Sequence, residues 1–259
     1  MHCGHDALSF VLICGQYGRD QGAPAGVLNR HWDRPRNSQQ RRAEQVPMTT
    51  IIAGVKIPDS KMAADATELL RDTASELLFH HSRRVFLFGS LQGARLGLQA
   101  DPELLYVGAM FHDLGLTEKF RDSTSRFELD SADEARRFLT GYGIDETDIR
   151  TVWEGIALHT TPEIPSRLEP EIALVTAGVE TDVLGIGYSE LDQADIDAVT
   201  EAHPRPDFKN QILKAFTEGF KHRPESTFGT VNADVLEHFV PGFRHIDFVE
   251  VIQNSAWPQ

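Results

Sequence analysis

From Pro58-Asp59-Ser60 onward the chain carries a helical period. Met62, Ala66, Leu69, Leu70, Thr73 and Leu77 recur at the i, i+3, i+4 spacing of one buried face, with Asp59 or Ser60 placed to cap its start. This helix leads into the segment that holds His81. A second helix is predicted to begin at Asp101-Pro102-Glu103, a capping residue followed by proline at the first helical position. It runs to Gly115, which puts His112 and Asp113 in its last turn. Further helices are predicted at about 130–140, 146–159, 169–184, 192–201, 207–221, 231–239 and 245–253. Alternating apolar-polar runs joined by hairpin turns are missing, so the expected fold class is all-α, without internal repeats.

Residues 1–47 follow neither period. They are rich in Gly and Arg, with Arg34-Pro35-Arg36-Asn37-Ser38-Gln39-Gln40-Arg41-Arg42 as the clearest aperiodic stretch. The expectation is a disordered leader or over-extended start over 1–47 and one domain over 48–259.

Composition narrows the function. Hydrophobic content of 41% with 25% charged residues is that of a globular protein with a sizeable core. The formal net charge of −14 argues against nucleic acid or an anionic membrane as partner, since both need a basic footprint. Cys3 and Cys14 are the only cysteines, so the body of the chain has no disulfide framework and no thiolate metal site. The apolar run at residues 7–14 lacks a basic flank and is too short to span a bilayer. These features predict a cytoplasmic protein acting on a small molecule; association into a homo-oligomer stays open.

The candidate chemistry starts at His112-Asp113, which ends the apolar run Leu104-Leu105-Tyr106-Val107-Gly108-Ala109-Met110-Phe111. A buried carboxylate costs several kcal/mol unless it is paired or coordinated, so this pair points to a metal ion. His81, His159 and Asp182 each stand in another apolar helical stretch.

Read as His81, His112-Asp113 and Asp182, the order H…HD…D resembles the HD-domain superfamily of metal-dependent hydrolases. The local wording, His81-Ser82-Arg83-Arg84-Val85-Phe86, the block around His112-Asp113, Arg126-Phe127-Glu128, Ile156-Ala157-Leu158-His159 and Asp182-Val183-Leu184-Gly185, is similar to the cyanamide hydratase-like branch. That similarity runs from about residue 57 to 248. It implies an HD-domain helical bundle in which His81, His112, Asp113 and Asp182 ligate one divalent transition metal, Zn²⁺ first, with Fe²⁺ or Mn²⁺ as alternatives. Two imidazoles and two carboxylates with a position left for water make a catalytic site. Dinuclear members of the superfamily insert at least two further histidines between the HD pair and the last Asp, whereas only His159 stands there in this chain. One metal is therefore expected, and an oxygenase is disfavoured.

Further roles are expected of these and neighbouring residues. Asp113 ligates and accepts a proton; His159 relays a proton to the substrate, with a structural histidine as the alternative. Thr117 offers a hydroxyl to substrate or a cap to the next segment, and Phe127 and Glu128 match a substrate-binding motif of the branch. The expected reaction is hydration or hydrolysis of a small nitrogenous compound, with cyanamide to urea as prototype. A nucleotide phosphohydrolase is the alternative, weakened because Leu116 stands where many such enzymes carry Lys. A non-catalytic binding module would have lost at least one ligand, and none is lost. Fungal hydratases carry Thr just before the last Asp; Val179-Glu180-Thr181 here implies altered pocket polarity.

Overall fold

The computed structural model describes residues 50–257, so the leader expected over 1–47 lies outside the described residues. Ten α-helices occur among them. They are α1 Lys61–Thr73, α2 Glu76–Leu96, α3 Pro102–Phe111, α4 Phe127–Gly141, α5 Glu146–Leu158, α6 Pro170–Val179, α7 Gln193–Ala202, α8 Phe208–Phe220, α9 Asn232–Phe239 and α10 Phe248–Gln253. The fold class is all-α, as the periodicity requires.

Helix α3 is buried on all sides: Leu104 to Phe111 are each buried, and α1, α2, α4, α5 and α6 pack around it. That explains why its sequence is apolar without a polar stripe. Asp101 caps it, accepting from the Glu103 and Leu104 amides at 2.8 and 3.1 Å.

Several features differ from the periodic reading; the helix expected over 169–184, for one, is α-helical only over Pro170–Val179. The helix from Ser60 stops at Thr73, because Ser75 accepts the Leu78 amide at 3.3 Å and starts a new helix that carries Leu77 and His81. Helix α3 ends at Phe111 instead of Gly115, leaving His112 as its C-cap and Asp113 beyond it. Gly115 cannot continue the ladder, since its amide donates to Ser131 Oγ at 2.8 Å and its carbonyl accepts from Arg223 at 2.6 Å. A Cβ there would also lie 2.1 Å from the Phe127 carbonyl oxygen. Finally, Ile51–Ile52 pairs antiparallel with Val55–Lys56 around a turn in which Ala53 and Gly54 have positive φ. Two residues a side are too few to write an alternation into the sequence.

Helices α2 and α6 meet backbone to backbone. A Cβ on Gly178 would fall 2.1 Å from the Val85 carbonyl oxygen, and one on Gly89 would fall 2.5 Å from that of Leu174. This approach brings His81 on α2 near the chain that follows α6. Gly178→Ala is expected to destabilise by about 3 kcal/mol, a fall of roughly 6–12 °C in melting temperature. Gly141→Ala, which meets nothing within 4 Å, is the control and should change it little. Thermal melts of both variants check this, and equal effects would refute it.

Candidate metal centre

Three histidines present the same nitrogen to one carboxylate. His112 and His159 cap the C-termini of α3 and α5, and each turns Nδ1 onto a carbonyl of its own last turn, Ala109 at 2.7 Å and Ile156 at 2.6 Å. A carbonyl only accepts, so each Nδ1 carries a hydrogen and Nε2 is the lone-pair nitrogen of the neutral ring. His81, from α2, gives its Nδ1 hydrogen to Asp182 Oδ2 at 2.7 Å. Its Nε2 is likewise the lone-pair nitrogen of the neutral ring.

Those nitrogens converge. His81 Nε2 and His112 Nε2 are 3.1 Å apart, and Asp113 Oδ2 lies 3.3 Å from His112 Nε2 and 3.5 Å from His81 Nε2. His159 Nε2 approaches Asp113 Oδ1 at 3.6 Å. Burial pushes the Asp113 carboxyl up, but the imidazoles around it outweigh burial and hold it well below the usual carboxylate range. Burial likewise lowers His81, against the opposing pull of Asp182. The outcome is an ionised Asp113 whose two buried oxygens face the Nε2 atoms of three imidazoles without a hydrogen bond of good geometry. Groups packed this closely repel unless a cation joins them, a proton on an Nε2 or a metal ion. Ligand atoms of His81, His112 and Asp113 all lie within 4.8 Å of one another, and these residues fit a divalent ion.

Asp182, expected as a fourth ligand, sits behind His81. It follows α6 in a π-turn, Glu180–Leu184. Its Oδ1 accepts from Arg84 Nε at 2.8 Å and Arg205 Nε at 2.9 Å, and its Oδ2 from His81 and from Arg84 Nη2 at 3.0 Å. All four acceptor directions are thereby used. Burial pushes this carboxyl up, but His81 and Arg84 outweigh it and keep it ionised. A carboxylate so held orients the histidine and raises its basicity.

The group opens on a cavity of about 200 Å³, whose wall includes His81, Asp113, His159, Thr160, Glu180, Phe216 and Asn232 together with several valines. Four larger surface clefts, of 560, 440, 400 and 360 Å³, reach none of the three imidazoles.

The other expected site residues are placed differently. The Thr117 hydroxyl donates to the Leu114 carbonyl at 2.7 Å, and the residue does not line the cavity. Phe127 is buried, stacked on Phe220 and edge-on to His159 with ring centroids 5.6 Å apart. Glu128 is wholly buried behind Thr160 and Asn232. Sequence reasoning did not pick Arg84, Arg205, Thr160 or Asn232. Arg84 was findable, being one helical turn beyond His81 on the same face. Arg205 and Asn232 carry no local signal, because they come from segments far along the chain.

Residues 78–197 match the family model described as HD domain, a span that holds His81, His112, Asp113, His159 and Asp182. Over those residues, a little under half of the chain, the sequence is similar to the HD domain. No curated protein matches the chain. No helix among the described residues is long and apolar enough to cross a membrane.

Proposed function

We propose that this protein is a metal-dependent hydratase or hydrolase of a small nitrogenous compound, of the cyanamide hydratase-like kind, adding water to a nitrile-type carbon. The observation that carries the reading is Asp113, an ionised, buried carboxylate on which the Nε2 atoms of His81, His112 and His159 converge at the end of a mostly apolar cavity. His81, His112 and Asp113 would hold one divalent transition ion, Zn²⁺ by preference and Fe²⁺ or Mn²⁺ as alternatives. When bound, such an ion supplies Lewis acidity and lowers the pKa of water from 15.7 to about 7.

The chain's own residues supply the rest. Asp182, tied to Arg84 and Arg205, holds His81 in one tautomer and one orientation. His159 is locked through Nδ1, so its Nε2 is free to take a proton and return it to a substrate nitrogen. The valines and Phe216 give the cavity a largely apolar lining. A phosphate ester would find no Lys or Arg on this wall, which disfavours the phosphohydrolase alternative.

Metal-replete protein should carry one ion per chain by elemental analysis. It should turn over members of a panel of cyanamide, nitriles and isonitriles while leaving nucleotide monophosphates intact. Two ions per chain, or phosphate release as the main activity, would overturn the reading.

A further inference from the structure

We propose that Glu128 is a positioning residue that fixes the hydrogen-bond polarity of the cavity wall, turning Thr160 and Asn232 into a pair of acceptors that select ligands bearing an NH₂ group. This deepens the reading above, on which it rests for the identity of the cavity as the substrate site.

Glu128 lies in the first turn of α4 with no exposed surface. Its Oε1 accepts from Arg126 Nη2 at 3.1 Å, Thr160 Oγ1 at 2.6 Å and Asn232 Nδ2 at 2.9 Å. Burial pushes the carboxyl up, but Arg126 and its other partners outweigh that and hold it below its ordinary value, so it is ionised. An ionised carboxylate has no hydrogen to give. The Thr160 hydroxyl must therefore spend its one hydrogen on Glu128, and what remains at Oγ1 is acceptor capacity. The same constraint settles the Asn232 amide: its NH₂ faces Glu128, and its Oδ1, which makes no hydrogen bond among the described residues, is an acceptor.

Thr160 and Asn232 both line the cavity that His81, Asp113 and His159 enter. Glu180 on the same wall adds a partly buried carboxylate without a partner among the described residues. No Lys or Arg lines the cavity to compete for these acceptors. A purely structural glutamate would not need this burial, since Arg126 is itself one-third exposed and could meet a partner near solvent. Here Glu128 Oε2 is buried with no hydrogen bond at all, an expensive arrangement whose effect is to orient two cavity-lining groups.

The test is binding of size-matched probes to the metal-loaded full chain, followed by NMR titration: acetamide against acetone, which differ by NH₂ in place of CH₃. Wild type should prefer acetamide by about tenfold, the scale of one to two neutral hydrogen bonds. Glu128→Gln, which can turn an amide NH₂ toward Thr160 and Asn232 and free their hydrogens, should bring the ratio below about threefold. Thr160→Val, a smaller perturbation should Glu128→Gln fail to fold, should do likewise, and Thr160→Ser should restore it. Equal affinities in wild type, or a ratio unmoved in the variants while only the melting temperature falls, would overturn the inference. Turnover separates it from the functional reading. Acetonitrile consumed with the kcat/KM of cyanamide would defeat the NH₂ selectivity alone. A clear acetamide preference with no hydration of any substrate would defeat the hydratase reading alone.

Discussion

Asp113→Asn is expected to lower the melting temperature of the metal-free protein and to abolish its gain on metal loading. This carboxylate is 2% exposed, and the imidazoles around it hold its carboxyl well below the usual carboxylate range, so the fold favours its charged form. The asparagine amide keeps the shape but removes that charge, as protonation would, and loses the stability linked to it. In the wild type a divalent ion would bind to the same charge. At a free ion concentration about a thousand times Kd it stabilises by about 4 kcal/mol, or roughly 8–16 °C for a chain of this size. The variant should gain under about 2 °C, having lost the anionic ligand. Melts with and without chelator, paired with elemental analysis, give both signs. An Asn variant that still binds one ion per chain would remove Asp113 from the ligand set.

The second large effect concerns His159. Its Nε2 stands 3.6 Å from Asp113 Oδ1 and on the cavity wall, yet it lies outside the cluster formed by His81, His112 and Asp113. His159→Ala should keep the full metal complement while turnover falls roughly 10²–10⁴-fold, the range for loss of a general acid-base group. A ligand would take the metal with it when removed. A merely structural histidine, bonded to Ile156 and edge-on to Phe127, would lower the melting temperature and leave turnover nearly intact. Metal content, melting temperature and rate on this one variant distinguish the three, and loss of metal would sink the proton-relay role.

Much of the site was legible because its chemistry violates the local pattern. An imidazole and a carboxylate closing an apolar stretch, and single histidines or aspartates in other apolar stretches, stand out without any knowledge of the fold. The placing of Asp182 behind His81 was not legible. The four acceptor directions are taken by His81 and Arg84 of α2 and by Arg205 from the segment after α7, and the spacing of Asp182 from His112 says nothing about them. Thr117 next to the HD turn and Glu128 in the following helix were equally plausible substrate contacts on paper. The structure turns the first onto Leu114 and buries the second behind Thr160 and Asn232.

What the sequence by itself determined is the helices, because a 3.6-residue apolar period and caps such as Ser60 and Asp101 act within a few residues of where they are written. The apolar run of α3 is also written in the sequence, but its central place comes from the packing of α1, α2, α4, α5 and α6 around it. The tertiary structure decided where α3 ends, because Ser131 and Arg223 take the Gly115 groups that would have extended it. It decided too which acceptors face the cavity, because a carboxylate's partners are chosen by proximity in space. Residues such as Glu128 and Asn232, 104 positions apart, meet only when the helices between them are packed.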